Sequence, residues 1–325
     1  MRASVCTEHG APDVVRVLDV PAPAPGPGQA RVRVHAAAVN FPDVLLVADR
    51  YQLSVPAPFV PGSEFAGVVD EVATDVEDLG IGDRVTGTTL VGAFAEAVVT
   101  DTGSLRPIPE GVGFAAAAAT GVAHSTAMHV LRSVARIQPG EELVVLGAGG
   151  GVGLAAVQLG HRFGASVTAV ASSAEKLEVA EANGATHLID HRRVDLREAL
   201  RAALPDGAHA VIDPVGGTLS EPALRSLRWG GRFVTVGFAS GEIPRIPLNL
   251  VLLKGVAVLG FQFRDFVEHA GEDYGRNEAE LSDLLRTGRI SAHIGATFAL
   301  EEVAEALAHV ADGKAIGKVI IDVRP

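Results

Sequence analysis

The chain has little of what several large functional classes need. It carries one cysteine, Cys6, in 325 residues, which excludes an internal disulfide and a cysteine-rich zinc lobe with its roughly four Cys or His ligands. Basic residues are outnumbered, 27 Lys and Arg against 39 Asp and Glu, for a formal charge of −12. No positive field is available to gather a nucleic-acid backbone or an anionic lipid surface. No apolar run approaches the ~18 residues a membrane span requires, and the opening MRASVCTEHG lacks the apolar core of a secretory leader, so the cytosol is the expected compartment. No period of 20–50 residues recurs, against a solenoid.

What is present is 48% hydrophobic residues, with 37 Gly and 18 Pro standing between apolar runs rather than in tracts. That supports two domains of many short strands and turns. Over the first hundred residues, period-two alternation and valine-rich runs predict strands at Val14–Val20, Ala30–Ala37, Phe65–Val72 and Ala93–Val99, separated by turn clusters such as Pro21–Gly28 and Gly80–Asp83. This reads as a barrel-like domain. From about Phe114 an alanine-rich stretch predicts a helix ending before Gln138-Pro139-Gly140. The segment from Glu142 to His191 then parses as strand, glycine turn, helix, strand, helix, strand, and such a βαβαβ run needs right-handed crossovers and a parallel sheet. His209–Gly217 and Gly231–Gly241 extend that sheet. An acidic helix over Asp273–Arg286 and a last strand, Lys318–Val323, complete the chain.

The sharpest local signal is GAGGGVG, Gly147–Gly153, placed where a buried strand hands over to a helix. Glycines permit the tight turn, a close approach to a pyrophosphate and helix packing, while the helix start offers free amides to an anion. Those roles fall to Gly147, Gly150 and Gly153, with Gly151 and Val152 between them. An NAD site carries an Asp or Glu at the end of the second strand. Here Ser166–Ala171 ends in Ser172 and Ser173, with Lys176 following; hydroxyls and an ammonium suit a 2′-phosphate, and the cofactor read from them is NADPH. No metal site is expected: among eleven histidines, His124 and His129 do not share an i, i+4 face, and His187 and His191 flank a strand end, so these read as surface or supporting imidazoles.

The motifs NFPD (Asn40–Asp43), PFVPGSEFAGVV (Pro58–Val69), GDRV (Gly82–Val85), GAFAEAVV (Gly92–Val99), GAGGGVGLAAVQL, GATHLID and GKVII (Gly317–Ile321), in that order, make the chain resemble the zinc-independent quinone oxidoreductases of the medium-chain dehydrogenase/reductase superfamily. The resemblance spans nearly the full length. It implies an α/β protein: a GroES-like β-barrel catalytic domain over 1–120 and 258–325, a Rossmann doubly wound domain over 121–257, NADPH, and a homodimer. Zinc-dependent relatives carry a ligand cysteine near Asn40 and a His-Glu pair near Ser63-Glu64, and both are lost here. By motif, Asn40, Asp43 and Tyr51 would line the nicotinamide end with Thr126 near the carboxamide. Lys176 and His191 would hold the adenosine phosphate, Gly237, Phe238, Ser240 and Phe261 would approach the nicotinamide, and Lys318 would stand near the cofactor. The sequence departs from the pattern at Leu45, where a tyrosine is usual, and at Thr120–His124, so the acceptor stays open. The expected reaction is hydride transfer to a quinone or enone, with donors from Asn40, Tyr51 or backbone amides and a proton from water. The alternatives are reduction of a 2-enoyl thioester and non-catalytic NADPH binding.

Overall fold

Short β-branched runs interrupted by Gly and Pro favour strands joined by turns, and this is what the first third of the chain forms. In the computed structural model, which describes residues 1–323, the opening elements are β1 (Arg2–Cys6), β2 (Val15–Asp19), β3 (Gln29–Val39), α1 (Phe41–Val47), β4 (Glu64–Val72), β5 (Arg84–Thr88), β6 (Ala97–Asp101), β7 (Leu105–Pro107) and α2 (Phe114–Ala118). There follow α3 (Gly121–His129), β8 (Glu142–Leu146), α4 (Gly151–Arg162), β9 (Ser166–Ala171), α5 (Ala174–Ala182), β10 (His187–Asp190), α6 (Leu196–Ala203), β11 (Ala208–Asp213), α7 (Ser220–Arg225), β12 (Leu227–Thr235), α8 (Leu248–Lys254) and β13 (Ala257–Gly260). The chain ends through α9 (Phe263–His269), α10 (Gly271–Arg286), β14 (Ile294–Ala299), α11 (Val303–Ala311) and β15 (Lys318–Asp322).

One unit comprises Met1–Val122 and the chain from Ser291 onward. Its sheet runs β14-β15-β3-β4-β5-β7, with β6 also paired to β3. Strand β3 is the hub: it pairs antiparallel with β4, β6 and β15, and its alternating Ala30, Val32 and Val34 enter a core with Phe65, Phe94 and Leu46. Helix α1 starts immediately after β3, with Pro42 in its first turn and Asp43 accepting the Asn40 N–H, an arrangement that suits a helix start.

The other unit, Ala123–Ile290, holds a six-stranded sheet in the order β10-β9-β8-β11-β12-β13, parallel throughout. The order reverses between β8 and β11, so the loops leaving these two strands flank a crevice of the kind that binds ligands in open α/β sheets. Buried Leu143–Leu146 and Ala210–Ile212 pack with helices on both faces.

Two expectations are corrected. The return to the barrel unit falls at Ser291 rather than at 258, because β13 continues the parallel sheet beside β12 and Leu281 and Leu284 of α10 enter the core shared with β8 and α4. The alanine-rich helix from Phe114 is broken into α2 and α3, followed by a π-helical turn at Val130–Val134. The break is polar in origin: the Val122 N–H donates to Glu64 Oε1 at 2.7 Å, so a side chain from another strand satisfies the start of α3.

Candidate active site

Gly147 has φ +61°, a conformation that favours glycine, and a Cβ there would fall 2.7 Å from Val215. A Cβ at Gly153 would fall 2.1 Å from the Gly147 carbonyl, so α4 can lie against the turn only as glycine. Gly149 is crossed by the stem of Lys176, whose Cβ would stand 2.5 Å from an added methyl. Gly150 differs: its Cβ would meet only the Gly147 carbonyl at 3.5 Å. Among the described residues nothing requires glycine at that position, which leaves room for a pyrophosphate to approach the backbone. Gly150 is also the residue before α4 and supplies no side-chain cap, so the amides of Gly151, Val152 and Gly153 open the helix as an anion site.

Around this turn stand the other residues of the crevice. Ser173 caps α5, accepting the Lys176 N–H at 3.4 Å; its hydroxyl has a structural task that the sequence reading did not give it. Burial and then the charge of Arg192 press the Lys176 ammonium below its ordinary range. The same two causes, in that order, lower His191. Arg192 thus joins the cationic group, and an anion bound among these side chains would relieve their repulsion. Across the switch point, Asp213 is fully buried and accepts from Val215 N–H, Gly216 N–H and Ser220 Oγ at 2.9, 2.8 and 2.6 Å, pinning the loop that packs on Gly147. Phe238 and Ser240 lie against Gly216 and Gly217, and a Cβ on Gly237 would reach only Pro214 O at 3.5 Å. The glycine turn, the loop after β11 and the loop after β12 therefore come together at one end of the sheet.

Thr126 is buried on α3, and Phe261 packs in an aromatic cluster around buried His129 with Phe263, Phe266 and Tyr274. His129 and His124 are interior, not surface, groups. Asn277 Nδ2 faces His129 Nδ1 at 3.1 Å, and His129 Nε2 faces Ser125 Oγ at 3.2 Å and Glu278 at 3.3 Å. This network joins α3 to α10.

In the barrel unit a second polar group is closed on itself. Lys318 Nζ donates to Asn40 Oδ1 at 2.6 Å, Glu64 Oε2 at 3.0 Å and Val39 O at 3.5 Å. Asn40 Nδ2 donates to Glu64 Oε2 at 3.0 Å, with Ala38 O at 3.4 Å and Ser63 Oγ at 3.5 Å beyond it. All three donors of the ammonium and both faces of the amide are thus engaged internally. Asn40 has no donor left for a substrate, and Lys318 is a member of this cluster rather than an arm extended to a nucleotide. Beside them Asp43 is fully buried; dehydration raises its carboxyl to about 7, against the Asn40 N–H, the Ser63 hydroxyl and the Lys318 charge. The Tyr51 phenol is raised as well, by burial and then by the charge of Asp43.

Comparison with known proteins places both units. Residues 26–110 match the model of the alcohol dehydrogenase GroES-like domain, and residues 151–277 that of the zinc-binding dehydrogenase. Quinone oxidoreductase-like protein 2 of Mus musculus is 38% identical, the match covering 99% of this chain and 92% of that protein. The chain belongs to the quinone oxidoreductase family of medium-chain dehydrogenases/reductases. Human quinone oxidoreductase is a further relative at 30% identity over 99% of this chain and 97% of that one. The crystal structure of Escherichia coli quinone oxidoreductase complexed with NADPH superposes with a TM-score of 0.93 at 25% identity, covering 99% of this chain and 100% of that one.

Within this family the zinc-dependent members make a metal an obvious question. The residues here do not fit one: Asn40, Ser63 and Glu64 stand where the resemblance places zinc ligands, but an amide, a hydroxyl and a single carboxylate close on an ammonium instead of offering three His, Cys or carboxylate donors. Among the described residues no group of three or more His, Cys, Asp or Glu could hold a metal ion. The sequence reading missed Glu64 as the hub of this cluster and Asp213 as the pin of the loop. Asp213 had a signal, a carboxylate closing the apolar run AHAVID, while Glu64 had none, since its partners lie 24, 58 and 254 residues away.

Proposed function

We propose that this protein is an NADPH-dependent reductase that passes a hydride to a quinone or a similar conjugated carbonyl without zinc. The observation that carries the reading is the closure of Asn40 and Glu64 on the Lys318 ammonium. A site without a Lewis acid lacks the several kcal/mol of oxyanion stabilisation that an isolated carbonyl needs. A quinone or enone spreads the developing charge over its own conjugated system, so hydrogen-bond donors suffice. The first-turn amides of α4 with Lys176, His191 and Arg192 would hold the phosphates of NADPH, which supplies the hydride when bound. Thr126, Gly237, Phe238, Ser240 and Phe261 would border the nicotinamide. Because Asn40 is engaged, Tyr51 becomes the donor to the acceptor oxygen, and Asn40 and Lys318 become the frame that fixes the start of α1.

We also propose a homodimer. Strand β13 is one of the two edge strands of the parallel sheet, and Trp229, Leu248, Leu252 and Leu253 stand exposed on the neighbouring β12 and α8, with Val258 on the edge strand itself. An exposed apolar patch along a free edge is a surface that a second copy would cover.

The deciding experiment follows NADPH oxidation by EDTA-treated protein with a simple quinone, a short enone and crotonyl-CoA. The expected outcome is quinone turnover undiminished by chelation. Loss of activity on chelation would overturn the zinc-free reading. Preference for crotonyl-CoA would transfer the protein to the enoyl thioester reductases, and NADPH binding without any turnover would make it a binding protein.

A further inference from the structure

The hydride transfer makes no use of the imidazole of His129, a fully buried group. Aromatic residues are only 5% of the chain, yet four gather around it: the ring centroids of Phe261, Phe263, Phe266 and Tyr274 lie 6.3, 5.7, 4.7 and 5.3 Å from its own. A leucine or phenylalanine would fill such a space without burying two ring nitrogens, whose desolvation is costly unless both find partners. Here both do. Nδ1 accepts from Asn277 Nδ2 at 3.1 Å, and the same amide nitrogen donates its second hydrogen to Ser133 Oγ at 2.9 Å. Nε2 then carries the ring proton and faces Ser125 Oγ at 3.2 Å and the Glu278 carboxylate at 3.3 Å, while the Ser125 hydroxyl also donates to Glu278.

Hydrogen bonds at both nitrogens hold the imidazole against rotation, so this satisfied network fixes the plane of a ring and does more than fill a volume. Phe261 is stacked against that plane at 26°. Phe261 in turn stands directly after β13, and its N–H donates at 3.0 Å to the carbonyl of Thr235, the last residue of β12. In a doubly wound sheet a dinucleotide lies across the carboxyl ends of the strands, one mononucleotide on each half. Lys176 and His191 follow β9 and β10 and draw the phosphorylated adenosine to their half, which leaves the nicotinamide to the half made by β11, β12 and β13. Phe261 stands at the carboxyl edge of that second half. On α3, Ser125 immediately precedes Thr126, so the bond from Ser125 also fixes how α3 is turned at Thr126. All of these residues belong to one unit, Ala123–Ile290.

We propose that His129 is a positioning residue for the nicotinamide end of NADPH. Pinned by Asn277 and Glu278 of α10 and by Ser125 of α3, it sets the ring plane of Phe261 and the rotation of α3 at Thr126. This deepens the reductase reading above and rests on it. With no exposed surface, His129 acts only through these neighbours.

The test separates the two ends of the coenzyme. Calorimetry on the full chain compares NADPH with 2′,5′-ADP, which carries the adenosine and its phosphates but no nicotinamide. His129→Leu keeps apolar packing and removes both hydrogen bonds, and Asn277→Ala releases Nδ1. Each should weaken NADPH binding about tenfold, while 2′,5′-ADP binding stays within about twofold of wild type. His129→Gln, whose amide keeps a donor and an acceptor, should recover part of the loss. With a quinone, kcat of His129→Leu should fall by about 10- to 100-fold as the nicotinamide loses its alignment. A parallel loss of both ligands would make His129 a packing residue of the whole unit, and an unchanged NADPH affinity would leave it no part in positioning; either result overturns the proposal. If wild type binds NADPH but reduces no acceptor, the quinone reading fails by itself, and the contrast between the two ligands still decides the role of His129.

Discussion

At the residue scale the site turns on how burial redistributes charge. Asp43 in the folded state titrates at about 7 rather than at its ordinary 3.8. Between those values the native protein binds more protons than the unfolded chain, so stability declines as pH rises through that window and levels off above it. The carboxamide that replaces the carboxyl in Asp43→Asn does not titrate. Asp43→Asn should therefore gain Tm relative to wild type on going from pH 4 to pH 8, with a swing of about a few kcal/mol at most. Thermal unfolding followed across that range checks it, and a constant difference between the two proteins would contradict the burial of a proton at this position. The same scale shows where reading the sequence stops. NFPD placed Asn40 and Asp43 together on a helix start, and that much was legible from spacing. That Asn40 is locked by Glu64 and Lys318 was not, since hydrogen bonds between a helix start and two strands distant in sequence leave no periodic trace.

At the element scale the glycine turn was the most legible part of the chain, because strand, turn and helix follow one another locally and each glycine answers a steric need. The individual roles, however, separate only in three dimensions. Gly153 is fixed by the Gly147 carbonyl and Gly149 by the Lys176 stem, whereas Gly150 is left open on the protein side. Gly150→Ala should then leave stability within about 1 kcal/mol of wild type while weakening NADPH binding about tenfold or more, the loss of ~1.4 kcal/mol of contact, as read by quenching or calorimetry. Gly153→Ala should lower Tm and binding together. Equal nucleotide affinity for Gly150→Ala and wild type would show that no ligand approaches there. The unbroken helix expected from FAAAAATGVAHSTAMH is the converse case. Alanine propensity favours continuity, but the Glu64 carboxylate captures the Val122 N–H, and tertiary hydrogen bonding outweighs local preference.

At the scale of the whole molecule, composition and motif order carried the α/β class, and the two-unit division followed from the change of texture near residue 114. The second boundary was misplaced, at 258 instead of Ser291, because β13 and α10 read equally well as the start of a returning barrel; only the pairing of β13 with β12 decides their membership. That same open edge gives the oligomer its test. Leu252→Glu places a charge in the exposed patch with Trp229 and Leu253, and light scattering should then report a monomer where the wild type reports a dimer. A wild-type monomer at micromolar concentration would dismiss the interface.

The pairing of β15 with β3 also sets an order of events during synthesis. The sheet of the second unit is drawn from one unbroken stretch of chain and can assemble as soon as that stretch leaves the ribosome, whereas the first unit must wait for its closing strand, since Lys318 and Glu64 lie 254 residues apart. Until β15 has emerged, Ala36–Val39 of β3 lack one pairing partner and the Glu64 carboxylate has no counter-ion. The unit built around β3 is thus started before the parallel sheet and closed after it.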